Sequence, residues 1–154
     1  MKNITILFSP NGGCTKAIIR EIDASKKEIL IQCYSFTSLP ITKALQAAVK
    51  RGVKVSAIID SKQRSPKMDA LKASGATVRY DGKHVISHNK VMVIDGRIVI
   101  TGSFNFTYAA ENQNAENVVI IRDSGVAGLY RDNWKLHYDH SISRQGKPVS
   151  KTRH

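Results

Sequence analysis

The chain has 154 residues, with 24 Lys and Arg against 12 Asp and Glu, a formal charge of +12, and 42% hydrophobic residues. That balance excludes a disordered chain, and at this length one domain can bury roughly 70% of its unfolded surface without disulfides. No apolar run approaches the ~18 residues that a membrane-spanning helix needs. The opening MKNITILF is too short for the apolar core of a signal peptide, so the chain as written reads as cytoplasmic, or as periplasmic or secreted if a leader has been removed.

In chain order, residues 3–8 predict a strand, ended by the breaker cluster Ser9-Pro10-Asn11-Gly12-Gly13. Thr15 caps a predicted helix over 15–27, with Ile18 and Ile22 on one face. Residues 29–36 are a mostly apolar run, as expected of a strand covered on both sides. Pro40 opens a helix with Ile41, Leu45, Ala48 and Val49 as its stripe and Gly52 as its stop. A strand over 53–60, a basic loop, a helix over 66–74 and a strand over 76–80 follow. Residues 90–94 and 97–101 are two apolar runs joined by Asp95-Gly96, a strong hairpin signal. A short helix over 107–115, a strand over 116–122 and a helix over 124–139 complete the series. Val126, Leu129, Tyr130 and Trp134 form the apolar face of that last helix. The expected fold is α/β: a mixed, mostly parallel sheet with helices on both faces, forming one domain over 1–140 and a basic, flexible tail over 141–154. Cys33 reads as a buried small hydrophobe and Cys14 as a loop residue, and a bridge between them has only the count in its favour.

The positive charge points first to nucleic acid and second to an anionic membrane surface. Residues 50–67 hold Lys50, Arg51, Lys54, Lys62, Arg64 and Lys67 against the single acid Asp60. Lys62 and Arg64 are candidate contacts to a phosphate backbone.

The chemistry concentrates between His88 and Glu116. His88 and Lys90 are two apart and share one face of an extended segment. Ser103 and Asn105 repeat that spacing after the second hairpin strand. The Asp95-Gly96 turn folds the strands together, so an imidazole, an ammonium, a hydroxyl and an amide converge. That set suits a phosphodiester without metal: Lys90 offsets its charge, Ser103 and Asn105 donate to its oxygens, and His88 attacks phosphorus. Glu116, heading the next strand, is the candidate carboxylate that fixes the His88 tautomer. Asp95 reads as a turn residue away from the chemistry, and Gly102 as a point of close backbone approach. Phe104, Phe106 and Trp134 read as core. His84 and His88 are four apart, but loop and strand do not place them as a helical zinc pair, and no further ligand is evident. Neither metal nor cofactor is expected.

The run His88-x-Lys90-x4-Asp95-x6-Gly102-Ser103-x-Asn105 resembles the phospholipase D superfamily signature at every named position. Phe8-Ser9-Pro10, Tyr34-Ser35-Phe36-Thr37, the Lys-Arg-Gly-Val ending at Val53, and the stretch from Gly102 to Thr107 look like its small bacterial single-motif endonucleases. The resemblance covers most of residues 5–140. It implies a covalent phosphohistidine on one motif's His, with the His of a second motif protonating the leaving oxygen. This chain carries one such pair, and in-line displacement needs groups on both sides of phosphorus. A homodimer with a composite site is therefore expected. The implied activity is metal-independent endonucleolytic hydrolysis of DNA, with RNA a second substrate, leaving 5′-phosphate ends. The alternatives are a phospholipid hydrolase or transphosphatidylase, which calls for an exposed apolar entry surface, and a non-catalytic nucleic-acid-binding protein.

Overall fold

A computed structural model describes residues 3–143. Among them, seven strands form one sheet in the order β1-β7-β6-β5-β2-β3-β4. The strands are β1 (Ile4–Phe8), β2 (Glu28–Cys33), β3 (Lys54–Asp60), β4 (Thr77–Asp81), β5 (Val91–Ile94), β6 (Ile98–Gly102) and β7 (Asn117–Arg122). The helices are α1 (Cys14–Asp23), α2 (Leu39–Lys50), α3 (Pro66–Ala73), α4 (Tyr108–Asn112) and α5 (Ser124–His140).

Side-chain alternation splits the core into two layers. Ile29, Ile31 and Cys33 of β2, with Met92 and Ile94 of β5, join α1, α2 and α3 in the larger cluster. Leu30, Val91, Val93 and Val99 pack with Ala127 and Trp134 of α5 on the other face. Trp134 donates its indole N–H to the Ile31 carbonyl at 2.8 Å, so its one polar atom is satisfied. Phe104 and Phe106 are core, as expected. Four helix starts follow their caps: Ser38, Ser65, Thr107 and Asp123 each accept an N–H from the first turn of α2, α3, α4 and α5. Thr15 does not cap α1 as expected: that helix begins at Cys14 after Gly13, with no side-chain cap, and Thr15 lies within it.

The mixed sheet with helices on both faces is as expected, but its pairing balance is not mostly parallel. β2–β3 and β3–β4 pair in parallel, whereas β1–β7, β7–β6, β6–β5 and β5–β2 pair antiparallel. The reason is the β5–β6 hairpin, which inserts beside β2 and reverses direction at each step. Cys14 opens α1 instead of lying in a loop, and Cys14 and Cys33 are both buried free thiols. Leu129 is 73% exposed, off the buried stripe that Trp134 belongs to. Of the expected tail, Ile142 pairs with Tyr80 through two backbone hydrogen bonds, and the residues beyond 143 lie outside the described ones. Among the described residues, no helix is long and apolar enough to cross a membrane.

Candidate active site

The strand directions bring the ends of β1, β2, β3, β4 and β6 and the starts of β5 and β7 to one edge of the sheet. The pairings Gln32↔Val91 and Met92↔Ile100, continued to the edge, set Lys90 between Cys33 and Gly102. The segment carrying His88 is pinned just before it, where the buried Asp60 carboxylate accepts the Ser87 N–H at 2.7 Å.

His88 is exposed, while Lys90 is only 8% exposed. The Lys90 Nζ lies 3.0 Å from His88 Nδ1 and donates to the His88 carbonyl at 2.6 Å. The Tyr34 ring stands against the imidazole, with centroids 5.0 Å apart. Burial is the largest influence on Lys90 and draws its pKa down, while the Glu116 charge opposes it. Among the described residues, no carboxylate lies within ion-pair distance of this ammonium. A buried cation facing an imidazole instead of an anion is an arrangement that an entering anion would complete.

Ser103 donates its hydroxyl to Glu116 Oε1 at 3.0 Å and accepts the Asn117 N–H at 3.1 Å. Asn105 Oδ1 accepts the Ser35 N–H at 3.4 Å, which leaves Nδ2 as the atom with donor capacity to spare. Gly102 has φ +139°, and a Cβ there would lie 2.3 Å from the Asn117 carbonyl oxygen. Only glycine lets β6 and β7 approach this closely beside Ser103.

The expected Glu116–His88 contact is not formed: Glu116 takes the Ser103 hydroxyl, and the polar neighbour of His88 Nδ1 is Lys90. The physical reason is that Glu116 immediately precedes β7 and faces the end of β6, with the hairpin strand β6 between it and β5. Asp95 sits at the other end of β5, about 15 Å along the strand from Lys90. Its carboxylate accepts the N–H groups of Lys26, Lys27 and Glu28 at 2.9, 2.7 and 3.0 Å, and its backbone has φ +54°. Burial alone would raise its pKa, but those three hydrogen bonds outweigh it and hold the carboxyl below its ordinary value. Lys62 and Arg64 are exposed in the loop after β3, and Lys62 Nζ reaches the Val85 carbonyl at 3.3 Å.

Two supports were not legible as such. Ser9 accepts the Glu116 N–H at 3.1 Å through its hydroxyl and donates its own N–H to the Glu116 carbonyl at 3.0 Å, fixing the backbone that carries this carboxylate. Val85 and Ile86, just before His88, are 53% and 50% exposed. The Phe8-Ser9-Pro10 run was the one local signal for Ser9. Nothing local marked Val85 and Ile86 as exposed.

Comparison with known proteins gives the family. A family model described as cardiolipin synthase, PLD-like domain, matches residues 18–136. Phospholipase D of Rickettsia typhi is 42% identical over 136 residues, covering 86% of this chain and 67% of that protein. Mouse mitochondrial cardiolipin hydrolase is 28% identical over 121 residues, 77% of this chain and 55% of that one. The crystal structure of the phospholipase D family member Nuc from Salmonella typhimurium matches with a TM-score of 0.85 at 35% identity, covering 93% of this chain and 98% of that one. The chain belongs to the phospholipase D superfamily and shares its phosphodiesterase character.

Proposed function

We propose that the protein is a metal-independent endonuclease that hydrolyses DNA, and RNA as a second substrate, with little sequence preference. The observation that carries this reading is the buried Lys90 ammonium beside the exposed His88 imidazole, on a chain of charge +12. An entering phosphodiester draws Lys90 onto a nonbridging oxygen, where it offsets the charge that repels nucleophiles. Asn105 donates to the same anion through Nδ2, and Ser103 joins it when its hydroxyl turns from Glu116. His88 is then released to attack phosphorus through one ring nitrogen, and Glu116 reaches the proton on the other only by giving up the Ser103 hydroxyl.

In the first step the His88 nitrogen–phosphorus bond forms and the bond to the 3′-oxygen breaks. The leaving oxygen takes a proton from the His88 of a second copy. Water, deprotonated by that second imidazole, then displaces the first and leaves a 5′-phosphate and a 3′-hydroxyl. A second copy is supported by the edge strand β1, whose alternate residues Ile4, Ile6 and Phe8 are 38%, 48% and 66% exposed and end at the site. Lys62 and Arg64 extend the electrostatic track.

Plasmid nicking in EDTA, with wild type mixed against His88→Asn subunits, tests the scheme. Activity is expected to persist in chelator and to follow the square of the wild-type fraction. Loss in chelator while the fold is intact rejects the metal-free step, and a linear dependence rejects the composite site. The exposed Val85 and Ile86 favour a second reading, phospholipid hydrolysis or head-group exchange by the same residues. Head-group release from cardiolipin or phosphatidylcholine vesicles, faster than nicking at equal enzyme, would make that reading the primary one. DNA binding without either reaction would leave a non-catalytic binding protein.

A further inference from the structure

Beyond the His88 cluster, four other side chains meet where the end of β4 faces the last turn of α5. Asp81 is fully buried, His84 follows it by three residues, and His137 and His140 lie three apart on the helix. His84 Nδ1, His140 Nε2 and His137 Nδ1 stand 2.9, 3.2 and 3.8 Å from a single atom, Asp81 Oδ2. The three rings are nearly equidistant, with centroids 5.0, 5.1 and 5.3 Å apart. All four ligand atoms fall within 4.8 Å of one another.

Hydrogen bonding does not account for this packing. One carboxylate oxygen cannot accept three well-directed N–H groups, and the buried His137 Nδ1 and His140 Nε2 have no hydrogen-bond partner of good geometry. A tetrahedral zinc ion holds its ligand atoms about 3.3 Å apart, given bonds of about 2.0–2.1 Å, so the cluster needs only small adjustments. Asp81 is also oriented as a ligand would be: its Oδ1 accepts the Lys83 and His84 N–H groups at 2.9 and 3.4 Å, which turns Oδ2 to the rings. The carbonyl end of α5 adds a favourable field for a cation.

We propose that Asp81, His84, His137 and His140 bind one zinc ion as a closed, structural site. Three imidazoles and a carboxylate fill the coordination sphere and leave no open position for hydrolysis. The ion ties the loop after β4 to α5. With the Asp60–Ser87 contact, it holds both ends of the segment that delivers His88. His84 thus works with Asp81 and α5 and not with His88, and the further ligands that no sequence spacing made evident come from β4 and the last turn of α5.

The test uses the untagged full chain, stripped by chelator and titrated with zinc sulfate alone. One zinc per chain at sub-micromolar affinity is expected, together with a rise in melting temperature. Cobalt in place of zinc should give the intense visible absorption of a four-coordinate ion. His137→Ala combined with His140→Ala should weaken zinc binding at least 100-fold and abolish the melting shift, while His88→Asn keeps both. Binding or a melting shift unchanged in the double variant overturns the site, as does their loss in His88→Asn. Should the double variant fail to fold, the cobalt spectrum of the unmodified chain decides: a weak six-coordinate spectrum, or none, also overturns it.

Discussion

The two ends of the β5–β6 hairpin share one sequence signature and do opposite work. At the turn, the Asp95 carboxylate is saturated by three backbone N–H groups and ties the hairpin to the segment entering β2. At the open end, Lys90 is buried against a histidine, with no carboxylate in ion-pair range among the described residues. A side chain whose hydrogen-bonding capacity is used by the fold has none left for substrate. A cation left short of an anion has. The spacing of the signature therefore joins a scaffold to the proposed phosphate site through a strand of four residues.

Substitutions at the two ends should separate these jobs. His88→Ala removes the proposed nucleophile from an exposed position, so cleavage in the nicking assay should fall on the order of 10⁴-fold or more with an unchanged melting temperature. Equal losses of activity and stability would erase the distinction between the ends. Lys90→Gln should cost about 10²–10³-fold in turnover, since it removes the charge that offsets the phosphate. Glu116→Gln should cost less, about 10–100-fold, and flatten the pH–rate profile if this carboxylate holds the His88 proton. An unaltered profile would assign Glu116 to Ser103 alone.

Asp95→Asn acts at the other end. It should lower unfolding stability by about 1–3 kcal/mol by weakening the charge-assisted hydrogen bonds, while turnover per folded molecule stays near wild type. Because the folded carboxyl has a lowered pKa, its contribution is fully present above the unfolded value of about 3.9 and disappears as pH falls through the folded value. Denaturant melts should therefore show a shallower acid limb in the variant. The smallest effect should come from Lys62→Ala and Arg64→Ala: each cation that no longer neutralises a phosphate should reduce the salt slope of duplex binding by about 0.9. An unchanged slope would remove that loop from the track.

Much of this was legible because it is local. The apolar run of β2, Pro40 in the first turn of α2 and the Asp95-Gly96 turn follow from the geometry of a few consecutive residues. The pairing His88-x-Lys90 needs only an extended segment to set its groups on one face. The partnership of Glu116 was not legible, because which strand lies between β7 and β5 is a matter of sheet order. Leu129 misled for a related reason: α5 covers only part of its face of the sheet, so an apolar position over the uncovered part stays in solvent.

The sequence by itself determined the elements, the turn that closes the hairpin and the residues of the signature, since all of these depend on short-range periodicity and backbone preference. Only the tertiary structure decided that the hairpin enters between β2 and β7, that Ser9 supports Glu116, and that Asp81 and His84 meet His137 and His140 across more than fifty residues. Those juxtapositions arise from how strands order themselves around a buried core, and no local preference encodes that order.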